Sequence, residues 1–119
     1  MTVLIVDDDQ HSLSFLKAAL EKVHHVAITA DNGADALSIL AHTPVNLILL
    51  DIMMPGMDGH EFCMTVRSDP QFEYIPIIFL SARSSLDDIA TAMISGGDDY
   101  LVKPVRLHEL YAKIDEYAM

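Results

Sequence analysis

The chain has 119 residues, 51% of them hydrophobic, with a single cysteine and a net charge of −11 from 7 basic and 18 acidic residues. That length suits one domain spanning 1–119, able to bury roughly two-thirds of the surface its unfolded form would expose without a disulfide or metal staple. One cysteine excludes an internal disulfide, the charge repels nucleic acid and anionic lipid as direct partners, and no apolar run is long enough to cross a bilayer.

Residues 2–6 form a continuous apolar run, the pattern of a strand buried on both faces, and run into Asp7, Asp8 and Asp9. They lack the basic flank of an export signal, so the expectation is a soluble cytoplasmic protein with no membrane contact. Residues 11–23 place Leu13, Leu16, Leu20 and Val23 at helical spacing. A weaker strand follows at 25–30. Asn32-Gly33 then marks a turn before a helix carrying Ala36, Leu37 and Leu40. Residues 45–50 read as a second buried strand ending at Asp51. Pro55, Gly56 and Gly59 break the chain ahead of a helix to about Arg67. Residues 75–80 are the fourth strand, and 86–95 a helix stopped by Gly96-Gly97. Residues 99–102 are the last strand and 106–117 the closing helix. Five strands alternating with five helices predict an α/β fold: a doubly wound parallel sheet covered on both faces.

In such a sheet, ligands bind outside the C-terminal ends of the strands, where strand order reverses. The residues expected there are Asp7 and Asp8 after strand 1, Asp51 after strand 3, Ser81 after strand 4 and Lys103 after strand 5. If strands 1 and 3 are neighbours, three carboxylates come from backbones only about 5 Å apart. Like charges that close raise one another's pKa or demand a cation, and oxygen ligands with few carboxylates suit Mg²⁺. Asp51 is the expected nucleophile, since a carboxylate can attack phosphorus to form an acyl phosphate. Lys103 would place a positive charge on the phosphate and the Ser81 hydroxyl would donate to it. Taken singly, each residue has a plainer explanation, as a helix cap, a turn residue or a solvated charge. Their joint placement at four strand ends carries the argument.

The chain also resembles the receiver domains of two-component response regulators over nearly its whole length. The matching segments are VLIVDDD at 3–9, LLDIMMPGMDG at 49–59, LSA at 80–82 and GGDDYLVKP at 96–104. The resemblance implies a flavodoxin-like (βα)5 fold with strand order 2-1-3-4-5. It implies that Asp51 is the phosphoacceptor, charged by a histidine kinase or histidine phosphotransfer protein. Asp7, Asp8, Asp51 and the main-chain carbonyl of Met53 would hold Mg²⁺. Ser81 falls on the family's hydroxyl switch position, Lys103 on its phosphate-binding lysine and Tyr100 on its aromatic switch. Lys103-Pro104 falls where the family has a cis peptide.

The implied role is a regulatory phosphoacceptor that assists its own phosphorylation and dephosphorylation, not a metabolic enzyme. Its helix 4–strand 5–helix 5 surface would act on an output domain or effector protein, or form a homodimer. Three positions stand out against the family pattern. Gly97 replaces the usual alanine, which is expected to loosen the loop before strand 5. Met53 and Arg83 fall where the family flanks its phosphate. Helix 4 carries no Lys or Arg, which counts against a charged helix-4/helix-5 dimer seam.

Other features promise less. His24-His25 has no partner at ligand spacing, and His11, His42, His60 and His108 are scattered. Met53, Met54 and Met57 read as packing or an adaptable surface, and Cys63 as a small buried hydrophobe. Two rival functions remain at this point: an aspartyl-nucleophile phosphatase using Asp7, and a phosphate-independent interaction module. A nucleotide-binding domain is disfavoured because no glycine-rich loop follows strand 1.

Overall fold

The computed structural model describes residues 1–118. Its elements run β1 (Thr2–Val6), α1 (Gln10–Lys22), β2 (Val26–Ala30), α2 (Gly33–His42), β3 (Leu47–Asp51), α3 (Gly59–Ser68), β4 (Ile77–Ser81), α4 (Leu86–Ile94), β5 (Asp99–Val102) and α5 (Leu107–Tyr117). All strand pairs are parallel, in the order β2-β1-β3-β4-β5 expected from the sequence. The order reverses between β1 and β3, so their C-terminal ends open a crevice.

The strands form because their side chains are apolar on both faces. Leu4, Val6, Ile48, Leu50, Ile77 and Phe79 point to one face, where α2, α3 and α4 contribute Leu40, Phe62, Val66 and Ala92. Val3, Ile5, Leu47, Leu49, Ile78 and Leu80 point to the other, covered by α1 and α5 through Leu16, Leu20, Leu110 and Ile114. Burying such side chains fully contributes about 1.5–3 kcal/mol each, and a one-residue slip of any strand would exchange its two faces. The register at the crevice is therefore firmly set.

Four of the five helices start on a side-chain cap in the loop leaving a strand. Asp9, Asn32, Asp58 and Ser85 accept from the main-chain N–H of His11, Asp35, Glu61 and Asp88. Boundaries shift from expectation at β4, which begins at Ile77 instead of 75. Pro76 has no N–H for the ladder, although its carbonyl accepts from Ile48 N–H at 2.9 Å. β4 also runs one residue further, into Ser81. β3 begins at Leu47 instead of 45 and includes Asp51. The Lys103-Pro104 peptide is cis.

Two glycines are required by close approach. A Cβ on Gly59 would sit 2.7 Å from Ile52 Cα and closer still to the Asp51 carbonyl. The first turn of α3 thus packs directly on the end of β3. A Cβ on Gly97 would sit 2.6 Å from the Phe79 ring, which is fully buried. The expectation that Gly97 loosens its loop is therefore incomplete: the missing methyl makes room for a phenyl ring.

Overpacking of that kind predicts that Gly97→Ala lowers stability by about 1–3 kcal/mol. The measurement is the urea midpoint at unchanged m-value. Phe79→Leu in the Gly97→Ala background should recover part of the loss.

Candidate functional site

The β1–β3 register pairs Val6 with Leu50, so Asp7 and Asp51 follow consecutive partners. The β3–β4 register pairs Asp51 with Leu80, and Ser81 comes next. Ser81 itself pairs with Val102, the residue before Lys103. Register alone thus delivers Asp7, Asp51, Ser81 and Lys103 to one edge, and Lys103 N–H donates to the Ser81 carbonyl at 2.8 Å.

The side chains converge. Asp7, Asp8 and Asp51 each offer a carboxylate oxygen within 4.8 Å of the others, the only cluster of potential metal ligands among the described residues. Asp7 and Asp51 are buried, at 1% and 9% exposure, while Asp8 faces solvent. Lys103 Nζ lies 2.6 Å from Asp7 Oδ2 and 3.9 Å from Asp51 Oδ2. Asp7 Oδ1 accepts from Asp9 N–H at 2.9 Å, so both oxygens of Asp7 are engaged.

Burying a carboxylate disfavours its charged form. That desolvation is the main reason the Asp51 carboxyl is pushed up to about 6. The Lys103 ammonium opposes the rise, the neighbouring Asp7 charge adds to it, and the Met53 main-chain N–H pulls back. Three acids face one ammonium, so the pocket retains net negative charge. Its potential metal ligands are all carboxylate oxygens, the donor chemistry of a hard divalent cation. The residues present fit Mg²⁺.

Ser81 is buried, and its Oγ accepts from Arg83 N–H at 3.1 Å. Its hydroxyl proton remains available to a group in the pocket. Met53, 56% exposed, stands on the loop just after β3 and lines a cleft shared with Asp8 and Arg83. Tyr100 is half-buried and stacks on Phe79 with ring centroids 6.4 Å apart. Its hydroxyl donates to the Arg83 carbonyl at 2.7 Å. The polar side chains named from the sequence therefore lie at this edge, except Tyr100, which pairs with Phe79 two residues behind Ser81.

No histidine joins the carboxylate cluster, although His60 lines the cleft shared by Asp8, Met53 and Arg83, and His11 lines the patch beside Lys103. His25 Nδ1 lies 3.0 Å from the terminal amine, and the His60 ring meets Phe79 at a tilt of 38° with centroids 5.7 Å apart. Cys63 is fully buried, and burial pushes its thiol up. Two features escaped the sequence reading. One is the triple contact of Arg83 described below. The other is an apolar patch beside Lys103, built from Phe15, Leu16, Ala82, Pro104 and Val105. Phe15 is 48% exposed. Its signal was available: it stands off the Leu13–Leu16–Leu20 stripe of α1, on the outward side.

Comparison with known proteins agrees with this geometry. Residues 3–115 match the family model described as the response regulator receiver domain. The chain is 41% identical over 111 residues to the heme response regulator HssR of Staphylococcus aureus, covering 93% of this chain and 48% of that protein. It thus spans about half the length of the curated relatives it matches. Among solved structures it is similar to the chemotaxis protein CheY4 of Vibrio cholerae, with a TM-score of 0.93 and 28% identity over 98% of this chain and 97% of that one. A two-component response regulator from Clostridium difficile gives 0.92 and 32% over 98% and 94%. With a matching segment that leaves out only a few residues at each end, the chain belongs to the response regulator receiver domain family.

Proposed function

We propose that residues 1–119 form one receiver domain, a phosphoacceptor switch in which Asp51 takes a phosphoryl group from a phosphohistidine. The donor is a histidine kinase or a histidine phosphotransfer protein. An Asp51 carboxylate oxygen attacks phosphorus, the P–N bond breaks, and the departing imidazole keeps the electron pair and takes up a proton. Asp7, Asp8, Asp51 and the Met53 carbonyl would hold Mg²⁺, whose charge offsets that developing on the phosphoryl oxygens. Lys103 pairs with a phosphoryl oxygen and Ser81 donates to another. The observation that carries this reading is that buried Asp7 and Asp51 meet Lys103 at the sheet edge where the register also brings buried Ser81.

The hydrogen bonds favour Asp51 over Asp7 as nucleophile. Asp7 is held at both oxygens, by Lys103 and by Asp9 N–H, whereas the closest ammonium contact of Asp51 is 3.9 Å. A carboxylate pushed up to about 6 is still mostly ionised at pH 7, and its desolvation leaves it poised to react.

The donor would dock on the apolar patch at Phe15, Leu16, Pro104 and Val105, which adjoins the pocket through Lys103. Output would pass through α4, β5 and α5 to an output domain, an effector or a second copy. α4 supports this role, because Ala92 is its only fully buried residue and Leu86 and Ile94 are 84% and 86% exposed. So few buried contacts make its displacement inexpensive. No described helix is long and apolar enough to cross a membrane.

Intact mass after treatment with acetyl phosphate and Mg²⁺ should show one phosphoryl adduct, absent with EDTA and in Asp51→Asn. An adduct that persists in Asp51→Asn would overturn the assignment. Phe15→Glu should slow transfer from a phosphohistidine donor about tenfold or more, the loss of one hot-spot side chain. Labelling by acetyl phosphate should stay unchanged, since that small donor needs no docking patch.

The raised Asp51 carboxyl has a definite sign in stability. The folded state holds its proton to higher pH than the unfolded chain, so this group erodes stability as pH rises from about 4 through 6. In metal-free protein, Asp51→Asn should therefore raise stability above pH 6 by on the order of 1–3 kcal/mol. Below pH 4 the gain should vanish. Thermal melts across that range, with and without Mg²⁺, test it; a destabilised Asp51→Asn protein at pH 8 would contradict the electrostatics.

A further inference from the structure

Arg83 makes three contacts with three different elements. Its N–H donates to Ser81 Oγ at 3.1 Å, its carbonyl accepts from the Tyr100 hydroxyl at 2.7 Å, and its guanidinium lies 3.4 Å from Asp88 Oδ1. The side chain also lines the cleft that contains Asp8 and Met53, on the open side of the acid pocket. One residue thus joins the hydroxyl end of β4, the ring on β5 and the first turn of α4.

The Arg83–Asp88 pair is easily released. It is a single contact at 3.4 Å between side chains 50% and 30% exposed, and such pairs contribute little in water. Nor does Asp88 depend on it. The Ser85 hydroxyl donates to Asp88 Oδ2 at 2.7 Å, and Asp88 N–H donates to Ser85 Oγ at 3.1 Å. This reciprocal cap holds the carboxylate at the helix N-terminus, where negative charge is favoured. Asp8 belongs both to this cleft and to the carboxylate cluster of Asp51, so a phosphoryl group on Asp51 would add close to two negative charges beside the cleft, a stronger partner for a planar guanidinium than a solvated carboxylate.

We propose that Arg83 exchanges partners on phosphorylation, its guanidinium leaving Asp88 for the phosphoryl oxygens on Asp51. The displacement reaches Ser81 and Tyr100 through the two main-chain hydrogen bonds of the same residue. It also strips the only cationic contact found among the described residues from the first turn of α4, where Asp87 and Asp88 stand in a helix without Lys or Arg. The output face becomes more acidic in the phosphorylated state and selects a cationic partner. This inference rests on Asp51 as phosphoacceptor.

A double-mutant cycle tests it, with beryllofluoride and Mg²⁺ as the phosphoryl stand-in and half-saturation read from backbone amide resonances. Arg83→Gln should raise the half-saturating concentration about tenfold, the loss of a charge-assisted hydrogen bond. Asp88→Asn should lower it about 1.5- to 5-fold by removing the competing carboxylate. In the Arg83→Gln background, Asp88→Asn should change nothing, and the beryllofluoride-induced shifts of the Ser85 and Asp88 amides should disappear. Equal effects of Asp88→Asn in both backgrounds would mean simple charge relief and overturn the exchange, as would no effect in either. A wild-type protein that fails to bind beryllofluoride, or an Asp51→Asn protein that binds it equally, brings down the phosphoacceptor reading and the exchange with it.

Discussion

Two carboxylates, Asp7 and Asp51, are held at the end of an apolar sheet with one ammonium between them and a third acid at the rim. Lys103 and two main-chain N–H groups offset only part of its electrostatic cost. Desolvation and mutual repulsion both oppose it, as the raised Asp51 carboxyl records. It persists because the strand bodies allow no other register: Val6 opposite Leu50 and Asp51 opposite Leu80 are set by side chains buried on both faces. The hydrophobic effect in β1, β3 and β4 thereby holds together a pocket whose excess negative charge suits a cation.

The load has an outlet because packing around the sheet is uneven. α1 and α3 bury several large side chains each, whereas α4 buries Ala92 alone and exposes Leu86 and Ile94. The stiff part of the molecule positions the acids, and the thinly anchored part lies directly beyond Ser81. Between them runs the short loop containing Arg83, whose main chain serves Ser81 and Tyr100 while its side chain reaches α4. A change of charge at Asp51 meets the least constrained element within a few residues. Phe79 closes the rear of this path, stacked on Tyr100, tilted against His60 and admitted by the absence of a methyl at Gly97.

Much of this was legible in the chain itself. Continuous apolar runs ending in Asp, Asp, Ser and Lys specified a parallel sheet with its chemistry at one edge, because strand ends in such sheets face the same side. Element boundaries erred mainly where a proline or a neighbour intervened. Pro76 withheld an N–H from β4, while Ser81 and Asp51 were drawn into the ladder by their partners Val102 and Leu80.

What the sequence determined by itself was composition at the strand ends and the alternation of strands and helices, both properties of short windows. Which oxygen of Asp7 meets Lys103, how far Asp51 is desolvated, that Arg83 bridges three elements and that Phe15 faces a patch beside the pocket were decided only by tertiary structure. Those facts depend on distances between residues up to 96 positions apart, and such distances are set by the packing of helices on the sheet.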